Sequence, residues 1–214
     1  MTILRLANTA MAFQRYDVRL EENIFPILYQ SVEWGDFSKG QQIAVLHRPE
    51  DDKVPLARTT TVYQNPGQRF SSVHEMIMNE IRTSTGIDDL CLNNAMLEVY
   101  DYRYRTMGFH TDQALDLDPD SYICLFTCYE QGGDAYSRVL TVKNKESGEE
   151  IEVPLIHHSV VVFSTAMNRA HLHKIEGRNL SKEHANRWMV DGIYFEALEN
   201  FRQTHRQCAA FNYK

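Results

Sequence analysis

The sequence predicts an α+β protein whose core is a two-sheet β-sandwich of jelly-roll kind, a double-stranded β-helix, with N-terminal helices packed on one sheet. Three observations carry this. Two amphipathic helical stretches precede residue 90, and short strand-like segments dominate from about residue 91. The breaks between those segments have explicit turn chemistry, in Asp118-Pro-Asp120, Gln131-Gly-Gly133 and Glu146-Ser-Gly148. A length of 214 residues with 43% hydrophobic content suits one domain with a real core. Residues 1–70 read as an N-terminal extension, 71–195 as the core and 196–214 as a C-terminal segment.

In chain order, Ile24, Leu28 and Val32 recur at spacing four within 21–34, with Pro26 tolerable only in a first turn, so a short amphipathic helix is expected there. Segments 41–47 and 58–63 are rich in β-branched and apolar residues and read as strands, separated by the charged loop Arg48 to Lys53. Ser72-Val-His-Glu75 has capping-box spacing, Val73, Met76, Ile77 and Ile81 share a face, and Gly86 supplies a stop. A helix over 72–84 follows. Strands are then predicted at 92–100, 105–110, 121–129, 137–143, 150–155, 159–164, 171–175 and 187–195. The last stretch, Glu196 to His205, is helix-compatible. A sandwich of this kind has an open mouth where a ligand pocket is the default expectation. Loops 48–57 and 64–70 are expected to roof it.

Lys plus Arg number 22 against 29 Asp plus Glu, a formal charge of −7, with no block of like charge beyond short acidic patches. That balance disfavours an electrostatic grip on long nucleic acid. The N-terminus turns polar too soon for a secretory core, and no apolar run approaches a membrane span, so a cytoplasmic protein with no membrane association is expected. Cys91, Cys124, Cys128 and Cys208 lack paired spacing and read as reduced, mostly buried thiols.

The chemistry concentrates in Arg105-Thr-Met-Gly-Phe-His110-Thr-Asp112-Gln. An imidazole and a carboxylate two residues apart lie on the same side of an extended backbone and can grip one metal ion. Completed by one more His, with coordination positions left open, that donor set suits non-haem Fe(II) that activates oxygen. A second cluster, Asn168-Arg-Ala-His171-Leu-His173-Lys-Ile175, follows the buried strand 159–164 and offers both His171 and His173 on one side of a strand. Arg187, fourteen residues after His173, opens the next strand. Its guanidinium can pair bidentately with the far carboxylate of a dicarboxylate cosubstrate. His157-His158 lie in a turn-like position, and His47, His74, His184 and His205 have no partner spacing. Surface or hydrogen-bonded roles are expected for all six.

The order H-x-D, buried strand, R-x-x-x-H-x-I, then Arg on the next strand resembles the Fe(II)/2-oxoglutarate-dependent dioxygenases, and AlkB-like members in particular. The likeness covers roughly residues 70 to 195, and it implies that 71–195 is the catalytic core and that the extension 1–70 includes a substrate lid. It implies Fe(II), 2-oxoglutarate and O2 as cofactors, with His110, Asp112 and His173 holding the iron. His173 is preferred to His171 because Arg169 stands four residues before it and Ile175 two after it. By the same resemblance Arg187 salt-bridges the cosubstrate and Tyr100 contacts it. This chain departs from the AlkB pattern at Glu98, where an Asn is expected, and at Ile193, where a second Arg is expected. The activity implied is hydroxylation, or demethylation through hydroxylation, of a small molecule or protein side chain. The alternatives are AlkB-type oxidative dealkylation of methylated nucleobases, and a non-catalytic or cupin-like metal-binding β-sandwich using His171-x-His173. The cupin motif order is reversed here. Tyr102 and Tyr104 alternating with Arg103 and Arg105 form the strip most able to favour nucleic acid.

Overall fold

The computed structural model describes residues 12–48, 53–55, 63–88, 90–113, 117–132, 137–178, 189–195 and 199–201. It is mostly sheet with few helices. The strands are β1 (Gln14–Asp17), β2 (Gly35–Ser38), β3 (Gln41–His47), β4 (Lys53–Pro55), β5 (Gln68–Arg69), β6 (Asn94–Tyr100) and β7 (Tyr122–Tyr129). They continue with β8 (Arg138–Asn144), β9 (Glu150–Pro154), β10 (Ser159–Ser164), β11 (His171–Gly177), β12 (Met189–Phe195) and β13 (Glu199–Phe201). The helices are α1 (Phe25–Gln30), α2 (Ser72–Thr85) and α3 (Thr165–Ala170).

A large sheet runs in the order β1-β10-β7-β12-β6-β3-β2, with β5 against β3, and a small sheet runs β11-β8-β9. A separate pair joins β13 to β4. From β6 onward the chain crosses between the two main sheets. β6, β7, β10 and β12 belong to the large sheet, and β8, β9 and β11 to the small one. All these pairings are antiparallel.

Period-two alternation sorts each central strand of the large sheet into two apolar faces. Ala44, Leu46, Ala95, Leu97, Val99, Cys124, Phe126, Val160 and Val162 face a core that also holds Leu28, Ile77, Met78 and Ile81 of the helices. On the other face, Ile43, Val45, Met96, Ile123, Leu125, Val161 and Phe163 meet Leu140, Val142, Val153 and Ile175 of the small sheet. Helices α1 and α2 therefore lie on one side of the large sheet and the small sheet on the other, as the expectation of N-terminal helices on one sheet required.

Several expectations are corrected in detail. The first helix is shorter than 21–34. Pro26 confines its start to Phe25, and Ser31 ends it, donating from Oγ to the Leu28 carbonyl at 2.7 Å. The cap of α2 is Ser71, not Ser72, and its reciprocal partner is His74 rather than Glu75. The Ser71 amide donates to His74 Nδ1 at 2.9 Å, while His74 Nε2 lies 3.2 Å from Ser31 Oγ. His74 thus ties the end of α1 to the start of α2. It is fully buried, and burial pushes its pKa down to about 4. Within the expected roofing loop 48–57 and the helix-compatible stretch 196–205, Lys53–Pro55 and Glu199–Phe201 instead pair as β4 and β13. The strand expected at 58–63 lies outside the described residues except for Tyr63. Cys124 and Cys128 are buried and in no disulfide, Cys91 is exposed, and Cys208 lies outside the described residues. No described helix is long and apolar enough to cross a membrane.

Candidate metal centre

The site begins with a local irregularity in pairing. Residues 105–110 were expected as a strand, but they touch β11 only through bridges at Thr106↔Glu176 and His110↔His173. Three residues on one side oppose two on the other between those bridges, which is a bulge. A bulge re-aims the side chains that follow it. Beyond it His110 and His173 stand directly opposite, exchanging both backbone hydrogen bonds at 3.0 and 2.7 Å. Directly paired residues project to the same face, and the two rings sit with centroids 4.5 Å apart.

Asp112 joins them from the loop just past this pair. Its carboxylate lies 3.8 Å from His110 Nε2 and 3.5 Å from His173 Nε2. One potential ligand atom from each residue falls within 4.8 Å of the others. Asn168, fully buried on α3, holds the Asp112 backbone on both sides. Its Oδ1 accepts from the Asp112 amide at 3.1 Å and its Nδ2 donates to the Asp112 carbonyl at 3.0 Å. The ring of His110 is oriented too. Its Nδ1 lies 3.0 Å from the Gly108 carbonyl, which can only accept, so Nδ1 carries the proton and Nε2 presents a lone pair. His173 and Asp112 are nearly dry, with side chains 6% and 9% exposed, while His110 is 41% exposed and faces the opening. The donor set fits a divalent metal. Two imidazole nitrogens and one carboxylate meet on one side, with the other side open to a cleft.

That cleft has a volume of about 520 Å³, and Met96, Tyr104, Met107, Phe109 and Leu125 are among its walls. Glu98 also lines it, held by Gln41 Nε2 at 2.7 Å and by the Tyr100 hydroxyl at 2.5 Å. Tyr100 itself is buried in the inter-sheet core and meets the cleft through Glu98 rather than as part of its wall. Burial, and then the charge of Glu98, pushes the Tyr104 hydroxyl up to about 12, so it stays protonated as a donor. Phe37, Gln41, Ile43 and Tyr63 also line the cleft. The expected lid loop 64–70 does not; Gln64 and Gln68 instead bond the backbone of Asp36 and Glu33.

His171 lies two residues from His173 on the same strand face, but both its ring nitrogens are engaged. Nδ1 is 3.0 Å from the Met167 carbonyl and Nε2 is 3.2 Å from Asn144 Nδ2. His157 and His158 are stacked at 3.7 Å and bond the amides of Tyr129 and Ile24. Arg187 lies outside the described residues. The positions that sequence reasoning missed are Gln41, Phe37, Met107 and above all Asn168, which was visible only as a neighbour of the histidine cluster.

No protein-family model matches this chain, and no curated protein matches it. Among solved structures it resembles OsALKBH1, with 11% sequence identity and a TM-score of 0.56 over 86% of this chain and 98% of that one. It also resembles a Pseudomonas putida prolyl-4-hydroxylase, with 12% identity and a TM-score of 0.48 over 87% of this chain and 94% of that one. At 11% identity the likeness to OsALKBH1 is one of fold.

Proposed function

We propose that this protein is an Fe(II)- and 2-oxoglutarate-dependent oxygenase with a jelly-roll core, which hydroxylates a small molecule or a protein side chain, or demethylates it through hydroxylation. One observation carries the reading: His110, Asp112 and His173 present their ligand atoms within 4.8 Å of one another on the wall of one cleft. The crossing of successive strands between two facing sheets supports the jelly-roll assignment. The likeness in fold to OsALKBH1 agrees with the AlkB-like order of the motifs.

Bound iron with 2-oxoglutarate supplies oxygen activation, coupled to loss of carbon dioxide and formation of succinate. The chain's own residues do the rest. The Gly108 carbonyl keeps the Nδ1 proton of His110 in place and so leaves Nε2 as the donor. Asp112 would bring one negative charge against a divalent ion. Arg187 would pair with the distal carboxylate of the cosubstrate. Tyr104, held protonated, lines the cleft, and Met96, Met107, Phe109 and Leu125 keep its wall apolar.

Oxidative dealkylation of a nucleobase is the second reading, favoured by Phe109 at the rim with Lys174 and Lys143 at 4.5 and 5.7 Å from its ring. Both lysines are committed, to Glu176 at 3.0 Å and to Glu150 at 2.8 Å. Arg103 of the Tyr-Arg strip is held by Asp101. Together with the −7 charge this favours the small molecule or side chain. The test is succinate formation with Fe(II), 2-oxoglutarate and O2 across amino acids, peptides, methylated nucleosides and methylated oligonucleotides. Turnover with one of the first two groups, lost in Asp112→Ala, is expected. Salt-sensitive oligonucleotide binding with formaldehyde release would favour the second reading, and no turnover in any arm, with no visible band on anaerobic addition of Fe(II) and 2-oxoglutarate, would sink both.

A further inference from the structure

We propose that Asn168 is a positioning residue that fixes the Asp112 carboxylate against the two imidazoles, so that metal affinity depends on a side chain with no contact to the metal. The inference rests on the metal reading above and adds to it.

The three donors are not held alike. His110 and His173 lock each other through paired backbone hydrogen bonds at 3.0 and 2.7 Å, so the strand ladder sets their spacing. Asp112 follows two residues after that pair, outside any strand. Its amide and its carbonyl both go to the Asn168 side chain, at 3.1 and 3.0 Å. A primary amide offers one acceptor and one donor in a single plane, the complement of a peptide's N–H and C=O; Asp would offer two acceptors and Ala neither. The match across 56 residues of sequence is therefore chemically specific.

The clamp itself is anchored. The Ser164 hydroxyl caps α3 by accepting from the Met167 amide at 3.2 Å, and the Thr165 amide donates to the Ser121 carbonyl at 3.0 Å. At the far end, His171 Nδ1 meets the Met167 carbonyl at 3.0 Å. Thr111 adds a parallel tie, donating to the His171 carbonyl at 2.9 Å. The corner β10–α3–β11 thus sets where the loop donor sits relative to the strand donors. Without Asn168 the Asp112 backbone must seek water, and the carboxylate loses its fixed direction while the two histidines keep theirs.

A plainer role is that Asn168 only satisfies buried backbone groups. That role predicts lower stability with unchanged metal affinity. The two are separated by titrating Mn(II), followed by its EPR signal, into the full-length wild type and into Asn168→Ala, Asn168→Ser and Ser71→Ala, with thermal unfolding measured without metal. Loss of a residue that orients a ligand typically costs about 10 to 100-fold in metal affinity, and that loss is expected for Asn168→Ala. Asn168→Ser cannot span both groups and is expected to lose about 10-fold, which keeps the test decisive if the alanine variant does not fold. Ser71→Ala removes the cap of α2, on the face of the large sheet away from the cleft, and should lower the melting temperature while leaving Mn(II) affinity within about twofold, below the loss expected of an orienting residue. Wild-type-like affinity in the Asn168 variants overturns the proposal, as does an equal loss in Ser71→Ala. A wild type that binds no Mn(II) overturns the metal reading first and this inference with it.

Discussion

The choice between His171 and His173 can be tested by heat. Metal present at about 100 times its dissociation constant stabilises a folded protein by roughly 2.7 kcal/mol. Unfolding entropy of about 2.1 cal/mol/K per residue gives roughly 0.45 kcal/mol/K for a chain of this length, so saturating Mn(II) should raise the wild-type melting temperature by about 6 °C. His171→Ala removes a buried imidazole that bonds the Met167 carbonyl and Asn144 and packs edge-on to Phe13 at 5.2 Å. The cavity and the two stranded partners should cost about 2 to 4 kcal/mol, a drop of about 4 to 9 °C. The Mn(II)-dependent rise should survive on that lowered baseline. In His173→Ala the rise should vanish, because a ligand nitrogen is gone. Differential scanning calorimetry of the three proteins, with and without Mn(II), reads both quantities. If His171→Ala loses the rise and His173→Ala keeps it, the ligand assignment is displaced by two residues and the reasoning from ring partners is wrong.

Arg138→Met should destabilise the fold by about 2 to 4 kcal/mol in urea titration. The buried guanidinium donates to the Asp101 and Tyr104 carbonyls at 2.8 and 3.0 Å and lies 5.0 Å from the Tyr100 ring. A loss below about 1 kcal/mol would mean that it does not hold this turn. His74 supplies a pH dependence. Burial depresses its folded pKa to about 4 against an ordinary 6.5, so the unfolded chain takes up the proton first as pH falls. Stability is full above about pH 6.5 and declines toward pH 4, by roughly 3 kcal/mol at about 1.4 kcal/mol per pH unit. His74→Gln should start lower and fall less steeply with pH. Identical slopes in the two proteins would show that His74 is not the titrating group.

The fold was most legible where burial is two-sided or strictly alternating. Segments 41–47 and 159–164 are strands with those same bounds, because Ile43 to Leu46 and Val160 to Phe163 are buried on both faces and leave no polar interruption to blur the ends. What was missed is short and polar. β1 reads Gln-Arg-Tyr-Asp with no buried residue, so only its partner β10 makes it a strand. α3 is six residues long, too short for helical periodicity to show, and a cap at Ser164 defines it. The capping box slipped by one because its reciprocal partner is a histidine. The expected pattern asks for Glu or Gln at that position, and Glu75 stood next to it.

The site divides along a similar line. Spacing of two reveals His110 with Asp112, and strand parity reveals His173, because those relations are between side chains and the backbone's period carries them. Parity also admits His171, and only hydrogen-bond geometry separates the two: a histidine with both nitrogens bonded to protein has no lone pair left for a metal, whereas His173 turns Nε2 toward Asp112 at 3.5 Å. Asn168 belongs to a third kind of relation, a side chain reading a peptide group. A peptide group is the same at every residue, so no spacing or residue type at position 112 betrays its partner. The bulge before His110 is hidden for the same reason, being a property of two paired backbones rather than of either sequence. Donor identity was therefore readable from side-chain pattern, while the parts that aim the donors had to be read from the fold.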